Sequence, residues 1–461
     1  MRRRIIEEQS VLFISVVKWF FLASVTGAIV GVSTTIFLKG LDMAIGLARS
    51  GGSYYFLFLP LAMLASTLLV KYLAPDAEGH GTEKIIEAVH NRGANIKLLV
   101  VPVKLAATII TIAFGGSVGK EGPCAQIGAG LASTFANSVL RFNMADRRKL
   151  VICGISAGFA TVFGTPIAGA IFGVEVLVVG TILYDVLLPS FVAGIVGYQI
   201  SASLGIEYLT LPISTLPPFT AVFFLELCLA GIFFGFCSFM IIEIMKRSEA
   251  LNHKIKLSKP AKAVLGGVAI VILALLFGGR YLGLGLDTIE SALLGEHVPA
   301  AAFFLKSVFT AITLSFGGSG GIVTPLFFVG ATSGSLFGTV MGLDPQLFAA
   351  IGMVALLAGG ANTPISASIM AAELFGPEVA SYAAIACVMS FLITGHRSVY
   401  PSQVLAVVKS PSIKVSEGLT MEQILDVEIT PRASGVTGKL ISGINYARRT
   451  LSRRDRVKRK K

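Results

Sequence analysis

Charge is scarce in this sequence. Only 14% of its 461 residues are Asp, Glu, Lys or Arg, while 54% are hydrophobic. A soluble domain carries roughly 25% charged residues, so an ordinary water-soluble enzyme is excluded. Cysteine is scarce as well. The five present (Cys124, Cys153, Cys228, Cys237 and Cys387) lie in apolar surroundings and form no CxxC pair. They read as small buried hydrophobes, not as a disulfide framework or thiolate metal ligands. No cleavable leader is expected either, since Arg2-Arg3-Arg4 runs into an apolar helix without a small-residue cleavage pattern. No catalytic group, metal centre or cofactor is expected.

Apolar runs fill most of what remains. Val11 to Leu38 and Tyr54 to Leu73 each read as a long helix, separated from the next by the polar stretch 74–83. Further runs lie near 98–114, 124–140, 150–163, 165–182, 184–204 and 218–245. After a basic loop, Lys246 to Lys262, others follow near 263–279, 299–315, 325–341, 347–359, 364–375 and 379–394. Hydrocarbon about 30 Å thick needs such runs. The chain is therefore expected to be an all-α polytopic membrane protein. Several runs fall short of the ~17 residues of a full span, and glycine and proline interrupt them. Broken helices of this kind surround transport sites.

The net charge of +12 is concentrated at the ends. Arg2 to Arg4 open the chain, and Arg448, Arg449, Arg453, Arg454, Arg456, Lys458, Arg459, Lys460 and Lys461 close it, against Asp455. Beside a membrane such clusters attract anionic lipid headgroups and stay cytoplasmic; nucleic acid is not expected as a partner. The expected location is the cell membrane, with both termini in the cytoplasm. The chain divides into an N-terminal segment (1–10), a transmembrane transport domain (11–409) and a basic tail (410–461). Val415 to Ile429 is mildly amphipathic, and the tail is short for a regulatory domain.

An internal repeat defines the architecture. Phe114-Gly-Gly-Ser117 recurs as Phe316-Gly-Gly-Ser319. Gly119, Pro123, Gly128 and Ala129 recur as Gly321, Pro325, Gly330 and Ala331, and Lys104 as Lys306, all at offset 202. Gly79-His-Gly-Thr-Glu-Lys-Ile85 pairs with Gly283-Leu-Gly-Leu-Asp-Thr-Ile289, and Thr165-Pro-Ile167 with Thr363-Pro-Ile365. Glu175 falls on Glu373. The first long helix begins beside Arg2 to Arg4, whereas its counterpart ends at Lys246-Arg247. Basic residues stay cytoplasmic, so two halves of about 200 residues (11–205 and 215–409) are inverted and meet at the membrane midplane.

The stretch that carries the chemistry is Phe114-Gly-Gly-Ser-Val-Gly-Lys-Glu-Gly-Pro123. It sets Lys120 and Glu121 among glycines in apolar surroundings. A charge at membrane depth costs at least ~2.5–3.5 kcal/mol and is seldom incidental. Glycines expose amide N–H groups, and Pro123 suits a first helical turn. The pattern describes a helix N-terminus aimed at a small anion, with a carboxylate at the same spot. The competing reading makes Glu121 a cap of its own helix or a partner of Lys120.

These motifs resemble the CLC family of chloride channels and proton-coupled chloride exchangers. Gly119-Lys-Glu-Gly-Pro123 is similar to that family's GKxGP/GREGP gating motif, and Gly321-Ile-Val-Thr-Pro325 to its GxFxP motif. Gly79-His-Gly-Thr-Glu83 stands in the place of GSGxP, and Tyr400 in that of the pore tyrosine. The resemblance implies chloride or a similar small anion as substrate and a homodimer with one pore per subunit. It implies that Ile322, Val323 and Tyr400 line a central site and that Gly119, Lys120 and Gly122 line an outer one. Glu121 would be the gate. His80 and Gly81 would border the central site, with His80 in place of a serine and Thr82-Glu83 in place of Ile-Pro. His80 reads equally as a loop histidine, and Tyr400 alternatively as an interfacial anchor. Where the family's exchangers carry an inner proton-transferring glutamate, Val176 stands here. The expectation is therefore a voltage- or pH-gated chloride channel. Proton-coupled chloride or fluoride antiport is the alternative, and transport of a cationic or neutral solute is disfavoured by the helix starts and paired interior lysines. Glu175 and Glu373 are expected to be structural carboxylates.

Overall fold

A computed structural model describes residues 2–208, 210–213, 216–410, 413–426 and 430–431. Eight helices form the first half: α1 (Arg2–Ser50), α2 (Leu59–Leu73), α3 (Thr82–Asn91), α4 (Val100–Ala113), α5 (Glu121–Thr134), α6 (Met144–Phe163), α7 (Pro166–Glu175) and α8 (Tyr184–Ser203). Eight more repeat them in order: α9 (Ala221–Lys254), α10 (Lys259–Phe277), α11 (Leu286–Leu293), α12 (Ala302–Ser315), α13 (Val323–Met341), α14 (Pro345–Ala361), α15 (Pro364–Phe375) and α16 (Pro377–Thr394). The starts of α4 and α12, and of α5 and α13, are each separated by the 202 residues of the sequence repeat.

Seven helices (α1, α2, α8, α9, α10, α13 and α16) are long and apolar enough to cross a bilayer. Of these, α13 is enclosed nearly all round, whereas α1, α2, α10 and α16 turn much of their surface outward. The ten-residue α3 and α7 and the eight-residue α11 are too short to span, so their ends fall inside the protein. Buried backbone of this kind is tolerated only where neighbouring protein satisfies it.

Packing repeats as the sequence does. The pairs α5–α6 and α13–α14 are the tightest in their halves. A Cβ on Gly128 would meet the carbonyl of Gly154, and one on Gly330 the carbonyl of Gly352. Each pair of helices thus approaches backbone to backbone through glycine, which supports dispersion contact where lipid offers no hydrophobic drive. The helices α7 and α15 also meet, each start capped by a carboxylate of the other.

Three features differ from the sequence expectation. The first helix does not stop near Leu38. It continues through Lys39 and Asp42 to Ser50, because single polar residues on an outward face do not break a helix that has no proline. By the same token residues 2–10 are its first turns. The 124–140 run is divided, α5 giving way to a π-helical turn at Phe135–Val139. After α16 the chain is not all helix. Strand β1 (Val178–Val179) pairs in parallel with β2 (Val404–Leu405), and β3 (Ile413–Lys414) pairs antiparallel with β4 (Thr430–Pro431) around α17 (Met421–Asp426). The basic cluster from Arg448 to Lys461 lies outside the described residues.

Candidate functional site

At the centre of the protein the two halves meet backbone to backbone. Gly119 donates its N–H to the Gly321 carbonyl, and Gly321 donates to the Gly119 carbonyl, both at 2.7 Å. Around this bridge a lattice of hydroxyls repeats across the pseudo-dyad. Thr108 Oγ1 meets Ser319 Oγ and Ser117 Oγ meets Thr310 Oγ1, both at 3.1 Å. The Ser117 N–H donates to Thr313 Oγ1 at 3.2 Å, and the Ser319 N–H to Thr111 Oγ1 at 3.1 Å. The buried loops ahead of α5 and α13 are thereby satisfied, and both helices begin at the centre of the protein. Each start carries roughly half a positive charge and amides that have no partner within their own helix.

Glu121 is the first residue of α5 and is 1% exposed. Its side chain crosses to the other half. Oε1 accepts the Val323 N–H at 2.5 Å, and Oε2 accepts the Thr324 hydroxyl at 2.7 Å. The carboxylate therefore sits on the first turn of α13, where a helix start binds an anion. Gly119 and Gly321 make room for it: a Cβ on either would run into its oxygens. The carboxylate also lies against its own N–H at the start of α5, so a contact with its own helix accompanies the one with α13. Lys120 does not pair with it; among the described residues no ion pair joins them, and Lys120 is half-exposed at the N-cap of α5.

The start of α3 completes the convergence. Gly81, its N-cap, has φ +79°, and a Cβ there would meet the Gly122 carbonyl; a Cβ on Gly122 would meet the His80 carbonyl. The three blocks at 79–83, 119–123 and 321–325 thus form one locus. Ile322 is buried as the N-cap of α13, and its carbonyl accepts the Leu326 N–H at 3.0 Å. His80 lies beside the backbone of Val399, with a shielded Nδ1 that has no hydrogen-bond partner among the described residues. Tyr400 is buried rather than interfacial, its phenol beside the Thr82 hydroxyl. Val176 is fully buried one residue beyond α7, and its carbonyl accepts from Gln403 Nε2 at 2.7 Å.

Other supporting residues were not singled out from the sequence. Thr324 was within reach, since a hydroxyl in the first turn of a helix aimed at an anion is a donor. Gln403 had no local signal. It ties Val176 to the Ala361 carbonyl at 2.7 Å and accepts from Ser398 Oγ at 2.6 Å and Asn362 Nδ2 at 3.0 Å, which fastens the loop bearing Tyr400. The paired lysines also acquire a place. Lys104 Nζ donates to the carbonyls of Ala77 (3.2 Å) and Gly79 (2.6 Å), just ahead of α3. Lys306 Nζ donates to Tyr281 (3.1 Å) and Gly283 (2.8 Å), ahead of α11.

A family model described as voltage gated chloride channel matches residues 61–395, more than half of the chain. The chain belongs to the CLC family. It is 36% identical over 405 residues to a chloride/fluoride channel protein of Pseudomonas syringae pv. tomato, covering 86% of this chain and 88% of that one. The voltage-gated ClC-type chloride channel ClcB of Escherichia coli is 30% identical over 314 residues, or 65% and 74% of the two chains. Among solved structures, a CLC-type fluoride/proton antiporter superposes with a TM-score of 0.81 at 29% identity, covering 84% of this chain and 98% of that one. A slow cyanobacterial Cl-/H+ antiporter shares the fold, with a TM-score of 0.70 at 19% identity over 82% and 94% of the chains. This CLC protein is thus an integral membrane protein of all-α, inverted-repeat fold that transports small anions and is not an enzyme.

Proposed function

We propose that this CLC protein exchanges a small halide for protons, with fluoride as the preferred ion and chloride as its competitor. The observation that carries this is the lodging of the Glu121 carboxylate on the Val323 N–H and the Thr324 hydroxyl. An ionised Glu121 stands where the halide would be bound. Protonation removes its charge and frees those donors, so the halide enters as the acid leaves. A carboxylate oxygen is nearer in size to fluoride than to chloride, and a hydroxyl donor suits the smaller, harder ion. The relatives named for fluoride support this choice.

Val323, Thr324 and Tyr400 would contact the ion, with the amide of Ile322 beside them and His80 and Gly81 at the border. Gly119 would serve as a hinge rather than a donor, since its N–H is held by Gly321. Gly122 and Lys120 would face the outer approach. Passive conduction, the expectation drawn from Val176, is the second reading; the name of the antiporter structure weighs against it. Residues 11–409 form the transport unit, and 1–10 and 410–461 are cytoplasmic appendages of a cell-membrane protein. All the proposed ion contacts come from one chain, so a homodimer would carry two independent pathways in lipid.

The test is purified protein in vesicles with the membrane potential clamped and a fluoride or chloride gradient imposed. Exchange predicts sustained uphill proton movement at a fixed ratio to halide flux. Halide flux with no proton movement would establish passive conduction instead.

A further inference from the structure

Val176 cannot carry a proton, so exchange through Glu121 needs another acceptor facing the cytoplasm. Glu83 has the geometry for it. It lies in the first turn of α3 and is held from across the protein: Ser402 donates both its N–H, at 2.9 Å, and its hydroxyl to Oε1. The other oxygen, Oε2, is shielded from solvent and has no hydrogen-bond partner among the described residues. A part-buried carboxylate with one satisfied and one shielded, unpaired oxygen is poised to bind a proton on the unpaired one. Glu83 is held two residues from Tyr400, through Ser402, and its helix start packs on the Gly122 backbone next to Glu121, so the two carboxylates belong to neighbouring parts of one locus.

The side of approach follows from the chain. Ser402 sits between Pro401 and Gln403, whose carbonyls accept the Glu422 and Met421 N–H groups at 3.1 and 2.8 Å. The last described segment is therefore attached directly beside Glu83, on the flank assigned above to the cytoplasm. The charged and titratable groups about it are Lys84 and Glu87 on its own helix, His80 at the helix start, Lys104 behind His80, Tyr400 opposite, and Glu422 on α17.

We infer that Glu83 is the inner proton acceptor of the exchange cycle, in the role that Val176 leaves empty. This rests on the exchange reading above. The part-exposed Glu83 carboxylate takes a proton from hydronium on the cytoplasmic side, leaving water, and becomes neutral, with Oε2 the oxygen left unpaired to hold it. That O–H bond then breaks as one forms on Glu121, which leaves Val323 and Thr324 to the halide. In the reverse direction the same proton returns to water. No redox partner or second substrate is involved.

The experiment measures proton and halide flux together in clamped vesicles for the wild type, Glu83→Gln and Glu83→Asp. Glu83→Gln keeps the shape and should lower proton flux about 100-fold, the scale of a lost acid–base group, while halide movement continues uncoupled. Glu83→Asp should restore coupling in part and keep a dependence on cytoplasmic-side pH that the Gln variant has lost. If Glu83→Gln pumps protons at the wild-type ratio, Glu83 is not the acceptor although exchange stands. If the wild type itself moves no protons, both readings fall. Should the Gln variant not yield a monodisperse particle, the Asp variant decides: wild-type proton flux with an unshifted pH profile would overturn the proposal.

Discussion

Glu175 and Glu373 each cap the helix that the other's half begins. Glu175, at the end of α7, accepts the N–H groups of Ile365 (3.1 Å) and Ser366 (2.8 Å) at the start of α15. Glu373, near the end of α15, accepts those of Ile167 (2.9 Å) and Ala168 (2.8 Å) at the start of α7. Two short antiparallel helices thus supply each other's missing acceptors, and each negative charge sits at a positive helix end. Either residue changed to alanine strands two amides, at a cost of about 1–3 kcal/mol for each buried group. The unfolding midpoint of detergent-extracted protein should fall for both, and further for Glu175, which is the more buried. The ratio of protons to halide should not change in molecules that fold. A variant with a normal midpoint and altered ratio would make its carboxylate part of transport.

Glu121→Gln should separate halide flux from pH. The amide cannot ionise, so acid can no longer displace it from Val323 and Thr324. In the wild type, halide turnover should rise as pH falls, because protonation discharges the group that occupies the ion's place. In Glu121→Gln that rise should be absent and proton flux should drop about 100-fold or more. Glu121→Ala should additionally bind one more halide per chain, read by titration calorimetry. A pH profile in Glu121→Gln that overlays the wild type would remove the gate from this residue.

Much of this was legible in the sequence for definite reasons. Apolar runs marked the helices because hydrocarbon demands them, and the offset of 202 marked the pseudo-dyad because both halves answer the same packing problem. The Glu121 block stood out because charge is rare there. The Gly119–Gly321 bridge was not legible, since a glycine offering its amide to an ion reads the same as one giving it to another strand. Lys120 looked like a partner of Glu121 by adjacency alone. At a helix N-cap the two side chains leave in different directions, and only Glu121 enters the core. The Glu83–Ser402 and Gln403–Val176 contacts join residues more than 200 positions apart, with no local pattern to announce them.

Gly330→Ala should destabilise the protein, and Gly46→Ala should not. A Cβ on Gly330 meets the Gly352 carbonyl and comes within 2.7 Å of Met353 Cα, so α13 and α14 must part. Overpacking of this kind costs about 1–3 kcal/mol. Gly46 lies within α1 with nothing within 4 Å of such a Cβ. There alanine should stabilise by about 0.5–1 kcal/mol through helix propensity. Thermal unfolding of the two variants side by side checks both signs; a neutral Gly330→Ala would mean that the two helices have slack.

Lys104 and Lys306 allow architecture to be separated from function, because symmetry gives them one structural task and two different surroundings. Both are fully buried, and both hold two carbonyls of the turn that leads into a short helix. Methionine at either position leaves two carbonyls without their donor, so both variants should lose stability by about 1–3 kcal/mol per stranded group. Their neighbours differ. Lys104 steadies the turn that runs through His80 and Gly81 to the Gly122 backbone, beside the Glu121 locus. Lys306 steadies the turn into α11, whose start lines a cleft with Asp42, Arg49, Arg280 and Asp287. A positive charge near the ion path adds to the field that holds a halide. One worth about 1.4 kcal/mol changes affinity tenfold. Lys104→Met should therefore weaken halide binding about tenfold, while Lys306→Met leaves it within about twofold. Titration calorimetry on the two proteins, each with its unfolding midpoint measured, provides the comparison. Equal losses of affinity would place the field of both lysines on the ion and refute the asymmetry argued here.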